Sequence, residues 1–328
     1  MHGIVLGKFM PPHQGHLNLV EFARRFADEL TVVVGSLACE PIPGELRYQW
    51  MCELFPGARV VHLTDENPQL PHQHPDFWQI WRNSLQRVVD RPIDLVFASE
   101  DYGIRLAEEL GATFVPCNGA RSLIPISATQ IRSDPHRHWS LLPPCVRAYY
   151  CRRISIFGAE STGKSTLTQQ LASHFCSLWV PEFARTWLEP RQGRVELKDM
   201  PIISRGQAAS EQALARLSNG WLFCDTDPLA TELWSQELFG QIPRLEGQGG
   251  PYELTLVCDV DVPWVPDCVR YRPDNRKAFH LRCLELLQRA NRPYAVLQGS
   301  WEERWHGALR ALEALEADRG QSSPGSEE

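Results

Sequence analysis

Residues Ile154 to Leu167, ISIFGAESTGKSTL, restrict what this chain can fold into more than any other stretch. A short apolar run ends at Gly158. Ala159, Glu160, Ser161 and Thr162 follow, then Gly163, Lys164, Ser165 and Thr166, where a helix-forming segment starts. The pattern is G-x-x-x-x-G-K-S, with a strand before it and a helix after it. Glycine lets the backbone bend tightly enough for successive N–H groups to converge on one anion. The helix beginning near Lys164 adds its positive end. Lys164 supplies a mobile cation for the outer phosphates of a nucleotide, and the Ser165 hydroxyl can ligate Mg²⁺. The expectation is an ATP site lined by Gly158, Glu160, Ser161, Thr162, Gly163, Lys164, Ser165 and Thr166.

The half that precedes this loop alternates strand and helix patterns. Apolar runs at 3–7, 31–35, 59–63, 93–98 and 113–116 read as strands. Helical spacing of Leu17, Val20, Ala23 and Phe26, of Leu46, Trp50 and Leu54, and of Phe77, Ile80, Trp81, Leu85 and Val88 fills the intervals. A helix is also expected at 102–110. Alternation of this kind means a parallel α/β sheet covered on both faces. Ligands then bind beyond the carboxyl ends of the strands. Residues 64–76, polar and rich in Pro and His, read as a loop, with His72 and His74 part of it. Pro143-Pro144 interrupts regular structure and 147–153 is the junction. The second half continues with a helix from 165, a strand at 178–181 and a helix at about 204–219. Strands at 221–224, 255–258 and 294–298 and helices at 278–290 and 302–315 complete it. The expected organisation is a domain at 1–150, a second at 151–318 and a disordered tail at 319–328.

Several classes are excluded. No apolar run approaches the roughly 18 residues of a membrane span. The opening MHGIVLGKF has no secretory pattern. The ten cysteines form no C-x-x-C pair and no zinc spacing, which suits a reducing cytoplasm. A net charge of −7 gives no basic face for nucleic acid. Composition leaves a homo-oligomer open.

A second constellation, Lys8-Phe9-Met10-Pro11-Pro12-His13-Gln14-Gly15-His16, follows the first strand at Gly7 and opens a helix. This H-x-G-H run resembles the signature of the nucleotidyltransferase superfamily. The partner motif, I-S-[ST]-T-x-x-R, is matched by Ile126 to Arg132, with Ala128 in place of a hydroxyl residue. Adenylyl transfer sets a phosphate nucleophile against the α-phosphorus of ATP, so no general base is required. The site must align the groups and neutralise charge on the oxygens. The resemblance implies that His13 and His16 donate to phosphate oxygens. Lys8 and Arg132 would add charge, and Gly15 would permit close backbone approach. Gly7, Phe9, Ser127 and Thr129 would complete the triphosphate site, with Mg²⁺ bridging the remaining oxygens.

The two motifs in this order, with PEFAR, CDTD and DVPWVPDCVRYRPDNR, are similar to the bifunctional nicotinamide-nucleotide adenylyltransferase and ribosylnicotinamide kinase family. The resemblance covers residues 1 to about 315. It implies a Rossmann-like nucleotidyltransferase domain followed by a P-loop kinase domain, both with parallel sheets. It also implies ATP and Mg²⁺ as co-substrate and cofactor, with nicotinamide riboside, NMN and NAD⁺ as substrates and product. Gly3 already begins the first strand, so the helix-turn-helix repressor domain of some members is not expected. A hydroxyl acceptor must lose a proton in the kinase step. Asp225, at a strand end, is expected to serve the Mg²⁺ shell or as base, with Asp227 the alternative for either, or both as helix caps. Glu182 and Arg185 are candidates for ribose or phosphates. Arg270, Arg272 and Arg276 are candidates for a lid over the transferring group. Asp261 and Trp264 are candidates for contact with the riboside. Trp78 is favoured over Trp81 to stack on nicotinamide. Rival readings are a coenzyme A-type adenylyltransferase–kinase fusion and a non-catalytic sensor of ATP and NAD⁺.

Overall fold

A computed structural model of the chain describes residues 1–117, 124–245, 249–266 and 275–321. It divides into two compact units, Met1–Val146 and Arg147–Glu328. The first has strands β1 (His2–Gly7), β2 (Glu29–Gly35), β3 (Arg59–Leu63), β4 (Leu95–Ala98) and β5 (Thr113–Pro116). Helices α1 (Gln14–Phe26), α2 (Gly44–Leu54), α3 (Phe77–Val88) and α4 (Tyr102–Leu110) connect them, followed by α5 (Ala128–Ser133) and α6 (Pro144–Tyr150). The sheet order is β3-β2-β1-β4-β5 and every pairing is parallel. Strands buried on both faces read as continuous apolar runs, which is why TVVV in β2 alternates between two cores. Val32 and Val34 join Val5, Leu19, Val20 and Met51 on one face. Val33 joins Ile4, Val96, Leu85 and Leu106 on the other.

The second unit has strands β6 (Arg152–Gly158), β7 (Leu178–Val180), β8 (Trp221–Asp225), β9 (Tyr252–Cys258) and β10 (Tyr294–Leu297). Its helices are α7 (Lys164–His174), α8 (Phe183–Leu188), α9 (Met200–Ala215), α10 (Pro228–Phe239), α11 (Arg276–Arg289) and α12 (Trp301–Gln321). The order is β10-β9-β6-β8-β7, again with parallel pairings. Ile154, Ile156 and Phe223 pack against Leu171 and Leu312 on one face. Phe157 and Val257 pack against Leu233, Cys283 and Leu287 on the other. In each sheet the chain leaves the central strand, β1 or β6, fills one side first and then crosses to the other; in the second sheet β7 takes the edge before β8 is inserted beside β6. The strand order therefore reverses at that strand, opening a crevice at its carboxyl end.

Two sequence expectations are corrected and two helices are added. Pro144 starts α6 rather than breaking structure, because a first-turn proline lacks only an N–H that the helix does not use. Helix α10 is an element the apolar spacing did not announce; its signal is Asp227-Pro228, a cap followed by proline at the first position. The segment after β7 coils into the short helix α8. Helix α12 extends to Gln321, so 319–321 are helical and not tail, since elongation adds one hydrogen bond per residue once a packed nucleus exists. Arg270 and Arg272 lie outside the described residues. No described helix is long and apolar enough to cross a membrane.

Candidate active sites

In the first unit the chain leaves β1 through Gly7 and Lys8. Phe9 takes a left-handed φ of 46°. A Cβ on Gly7 would lie 3.0 Å from the Phe9 ring, so glycine is what lets that ring fold back. His13 caps α1, its Nδ1 accepting the Gly15 N–H at 3.1 Å. An accepting Nδ1 leaves the ring proton on Nε2. The His13 and His16 rings lie 3.9 Å apart, and Phe9 meets His16 edge-on at 5.1 Å. A Cβ on Gly15 would stand 2.9 Å from His13 Cε1. The His13 ring itself therefore requires glycine at that position.

Lys8 is held by Glu40, Nζ to Oε1 2.8 Å. The same carboxylate takes Arg47 Nη2 at 2.5 Å, and Arg47, fully buried, donates to the carbonyls of Lys8, Gly35 and Ile42. Burial pushes the Glu40 carboxyl up. Hydrogen bonds from Lys8, the Leu37 N–H and Arg47 outweigh it and hold the group below its ordinary value. Sequence motifs predicted neither Glu40 nor Arg47. The second motif arrives from far along the chain. Arg132 Nη1 donates to Met10 O at 2.5 Å, and its Nη2 to Thr129 Oγ1 at 3.1 Å. Ser127 caps α5, accepting from Gln130 N at 3.2 Å in a reciprocal capping box. Trp78 and Trp81 both pack against the β1–β4 core. The Trp81 indole donates to Pro68 O at 2.8 Å, and its ring edge reaches Gly35 at the carboxyl end of β2.

In the second unit the turn leaves β6 at Gly158, φ 131°, where a Cβ would strike the Cys258 carbonyl at 2.6 Å. Ser161 (φ 57°) and Gly163 (φ 84°) are also left-handed. The loop is held internally: Thr162 Oγ1 and Lys164 Nζ both donate to Ala159 O at 2.8 Å. Gly158, Ser161, Thr162, Gly163 and Lys164, with Glu160, Ser165, Thr166, Glu182, Arg185, Gln207, Thr226, Asp227, Ala230 and Trp234, line one cavity.

The two aspartates of the CDTD strand end are separated by Thr226, whose φ of 66° is left-handed. This turn sends their side chains apart. Asp225 accepts from Ser165 Oγ at 2.5 Å, while its Oδ1 is buried with no hydrogen-bond partner among the described residues. Asp227 caps α10 through Leu229 N at 2.7 Å and takes Ser155 Oγ at 2.8 Å and Arg292 Nη1 at 2.5 Å on Oδ2. Both Asp227 oxygens thus carry structural hydrogen bonds, while the residue also lines the cavity. Glu182 lies at the start of α8. Burial first, then the charge of Asp225, raise its carboxyl above the ordinary range against the pull of Lys164 and Arg185. Burial likewise raises Asp225, against Lys164, Ser165 and Arg185. Arg185 also pairs with Glu189 at 3.4 Å.

No three His, Cys, Asp or Glu side chains among the described residues form a metal cluster. Mg²⁺ fits differently here. It is held by few protein oxygens and by substrate phosphates, and the orphaned Asp225 Oδ1 beside the Ser165 hydroxyl is a pair of hard oxygen donors at the loop.

The Asp261 carboxylate takes Gly299 N at 2.6 Å and pairs with Arg304, a buried side chain that also donates to Gly299 O, Asp259 O and Thr162 O. Arg304 thereby clamps the phosphate loop at Thr162 O, with Asp261 as its counter-charge. A Cβ on Gly163 would fall 2.3 Å from the Trp301 ring, so that indole fixes the outside of the loop. Arg276 donates to Val262 O at 2.9 Å and Ser161 O at 3.0 Å, with its guanidinium 5.8 Å from the Trp264 ring. It ties the segment after β9 to the phosphate loop.

A family model described as an AAA domain matches residues 153–304. The trifunctional NAD biosynthesis/regulator protein NadR of Escherichia coli K12 is 27% identical over 95% of this chain and 82% of its own length. A nicotinamide-nucleotide adenylyltransferase of Methanoculleus marisnigri is 28% identical over 44% of this chain and 86% of its own. A crystal structure of NadR protein with NAD and AMP-PNP superposes with a TM-score of 0.75 at 21% identity, covering 96% of both chains. One with NR gives 0.76 at the same identity, over 96% and 95%. The resemblance to the adenylyltransferase–kinase family is borne out along nearly the whole chain, and so is the fold of two parallel-sheet units.

Proposed function

We propose that the chain is a bifunctional transferase of NAD⁺ salvage. The second unit phosphorylates nicotinamide riboside with ATP, and the first joins the resulting NMN to the adenylyl group of a second ATP, releasing pyrophosphate. One observation carries this reading: each unit builds a separate phosphate turn at the carboxyl end of its central strand. The relatives that match both units together are named for NAD biosynthesis.

In the kinase unit the N–H groups from Glu160 to Ser165 cradle the phosphates. Lys164 exchanges Ala159 O for the outer phosphate oxygens. Ser165 and Asp225 would hold Mg²⁺, which would supply positive charge against that building on the outer phosphates. Glu182 takes the proton of the attacking 5′-hydroxyl, since its surroundings raise its proton affinity toward that of a working base. Arg185 balances the two carboxylates. Trp264 offers an aromatic face to the cationic pyridinium.

In the transferase unit no base is needed. The Nε2–H of His13 and the His16 ring donate to phosphate oxygens in line with the attacking phosphate. Lys8, oriented by Glu40, supplies a full charge. Arg132 seats the loop by its bond to Met10 O and adds its own charge. Trp81, whose ring reaches the ligand end of β2, takes the nicotinamide face, in place of Trp78. Both reactions draw on ATP in the cytoplasm.

The test is purified protein with Mg²⁺-ATP and nicotinamide riboside, with products separated by chromatography. NMN and then NAD⁺ are expected. His16→Ala should stop NAD⁺ while NMN accumulates. Lys164→Ala should block NMN yet leave conversion of supplied NMN intact. Adenylylation of phosphopantetheine instead of NMN would reassign the chain, and no turnover of any acceptor would favour a sensor.

A further inference from the structure

At the wall of the kinase cavity, α9 presents Gly206, Gln207 and Glu211, whose contacts the phosphate chemistry does not explain. Gly206 lies against the Phe183 ring so closely that a Cβ would come within 2.2 Å of it. Gln207, 2% exposed, accepts the Phe183 N–H on Oε1 at 2.9 Å. Its Nε2 faces Thr226 O at 3.5 Å and Glu211 Oε1 at 3.4 Å. Glu211, fully buried, takes the Tyr252 hydroxyl on its other oxygen at 2.6 Å. Phe183 follows Glu182, and Thr226 follows Asp225. One side-chain amide therefore holds the backbone beside both carboxylates, which come from α8 and from the end of β8.

This geometry matters because neither segment holds itself. Helix α8 is only six residues long and its cap Glu182 makes no side-chain capping bond. Thr226 sits in a left-handed conformation that a non-glycine residue keeps only where its surroundings hold it. A primary amide is suited to the task, since it offers an acceptor for the N–H and donors for the carbonyl at once. The Glu211–Tyr252 pair on the far side sets which way round the amide lies.

We propose that Gln207, oriented by Glu211 and Tyr252, is the positioning residue that sets the separation of Glu182 and Asp225, and so couples proton removal to the metal side of the riboside phosphorylation. The inference rests on the kinase reading above. Gln207 works through the two carboxylates and does not touch the reacting atoms.

Steady-state phosphorylation of nicotinamide riboside by the full chain tests it. Gln207→Met keeps the volume and removes both bonds; kcat should fall by about tenfold to a hundredfold, with KM for ATP shifting by less than about threefold. Gln207→Glu keeps the acceptor for Phe183 N–H but has no donor for Thr226 O and sets a second carboxylate against Glu211, so kcat should stay low. Glu211→Gln, which keeps an acceptor for Tyr252, should lower kcat in the same sense by a smaller factor and serves if the first variant fails to fold. Native kcat in Gln207→Met, native kcat in Gln207→Glu, or a loss residing wholly in KM for ATP would overturn the proposal. If the native protein itself does not phosphorylate the riboside, the kinase reading falls and this inference with it.

Discussion

The two phosphate turns reach the same place in their sheets by different means. The loop after β6 is self-contained in its path: Lys164 and Thr162 bond back to Ala159 within the same turn and three left-handed residues bend it, while Arg276, Trp301 and Arg304 brace it from outside. The loop after β1 is finished by others. Its lysine is aimed by Glu40, its backbone is gripped by the buried Arg47, and Arg132 crosses 122 positions of sequence to hold Met10 O. A glycine-rich cradle offers N–H groups that its own torsions aim, so distant side chains serve it only as braces. A histidine-lined turn offers side chains, and side chains need neighbours to orient them.

The strongest way to break this comparison is charge removal at the self-contained loop. Lys164→Met should lower riboside phosphorylation by about 10³-fold while adenylyl transfer to supplied NMN stays within about twofold of native. Equal loss of both activities would mean the sites are not separate. The assembled loop should be sensitive to a gentler change. Arg132→Lys keeps the charge but cannot span Met10 O and Thr129 Oγ1 together. Adenylyl transfer should fall by about 10²-fold with phosphorylation untouched, and a native rate would show that charge alone matters there.

A smaller effect separates the cores beneath the two sites. Burial, against the Tyr252 hydrogen bond and with the Asp227 charge adding to it, pushes the Glu211 carboxyl up to about 7, from 4.5 as the ordinary value. The folded state then holds a proton that the unfolded state has lost, so stability falls as pH rises from about 4.5 to 7 and stays low above. Glu211→Gln should therefore leave stability unchanged near pH 4.5 and raise it by about 2 to 3 kcal/mol at pH 8, read as thermal midpoint against pH. A pH-independent difference would remove the buried ionisation. Smallest is the cap of α5: Ser127→Ala should cost about 1 kcal/mol of stability in the first unit. It should slow adenylyl transfer only as far as the seat of Arg132 loosens.

The Asp225–Thr226–Asp227 triplet shows how much was legible. Sequence placed both carboxylates at a strand end and left metal ligand, base and helix cap open between them. Nothing in the string of letters announced that Thr226 is left-handed, and that torsion alone turns one side chain to Ser165 and the other to Arg292. Asp261 shows the same limit, since its partner Arg304 lies on a helix 43 residues later. Gln207 and Glu211 gave no signal beyond being polar at positions that α9 buries.

From the letters alone came the two turns, their places after the first strand of each half, and the alternation that makes parallel sheets. Those features follow from local torsions, short-range hydrogen bonds and the spacing of apolar residues, all fixed within a few positions. The partners of Lys8, Asp227, Asp261 and Arg132 were decided only when the sheets closed. A buried polar group must find its hydrogen bonds wherever packing brings a complementary atom, and sequence distance does not limit that search.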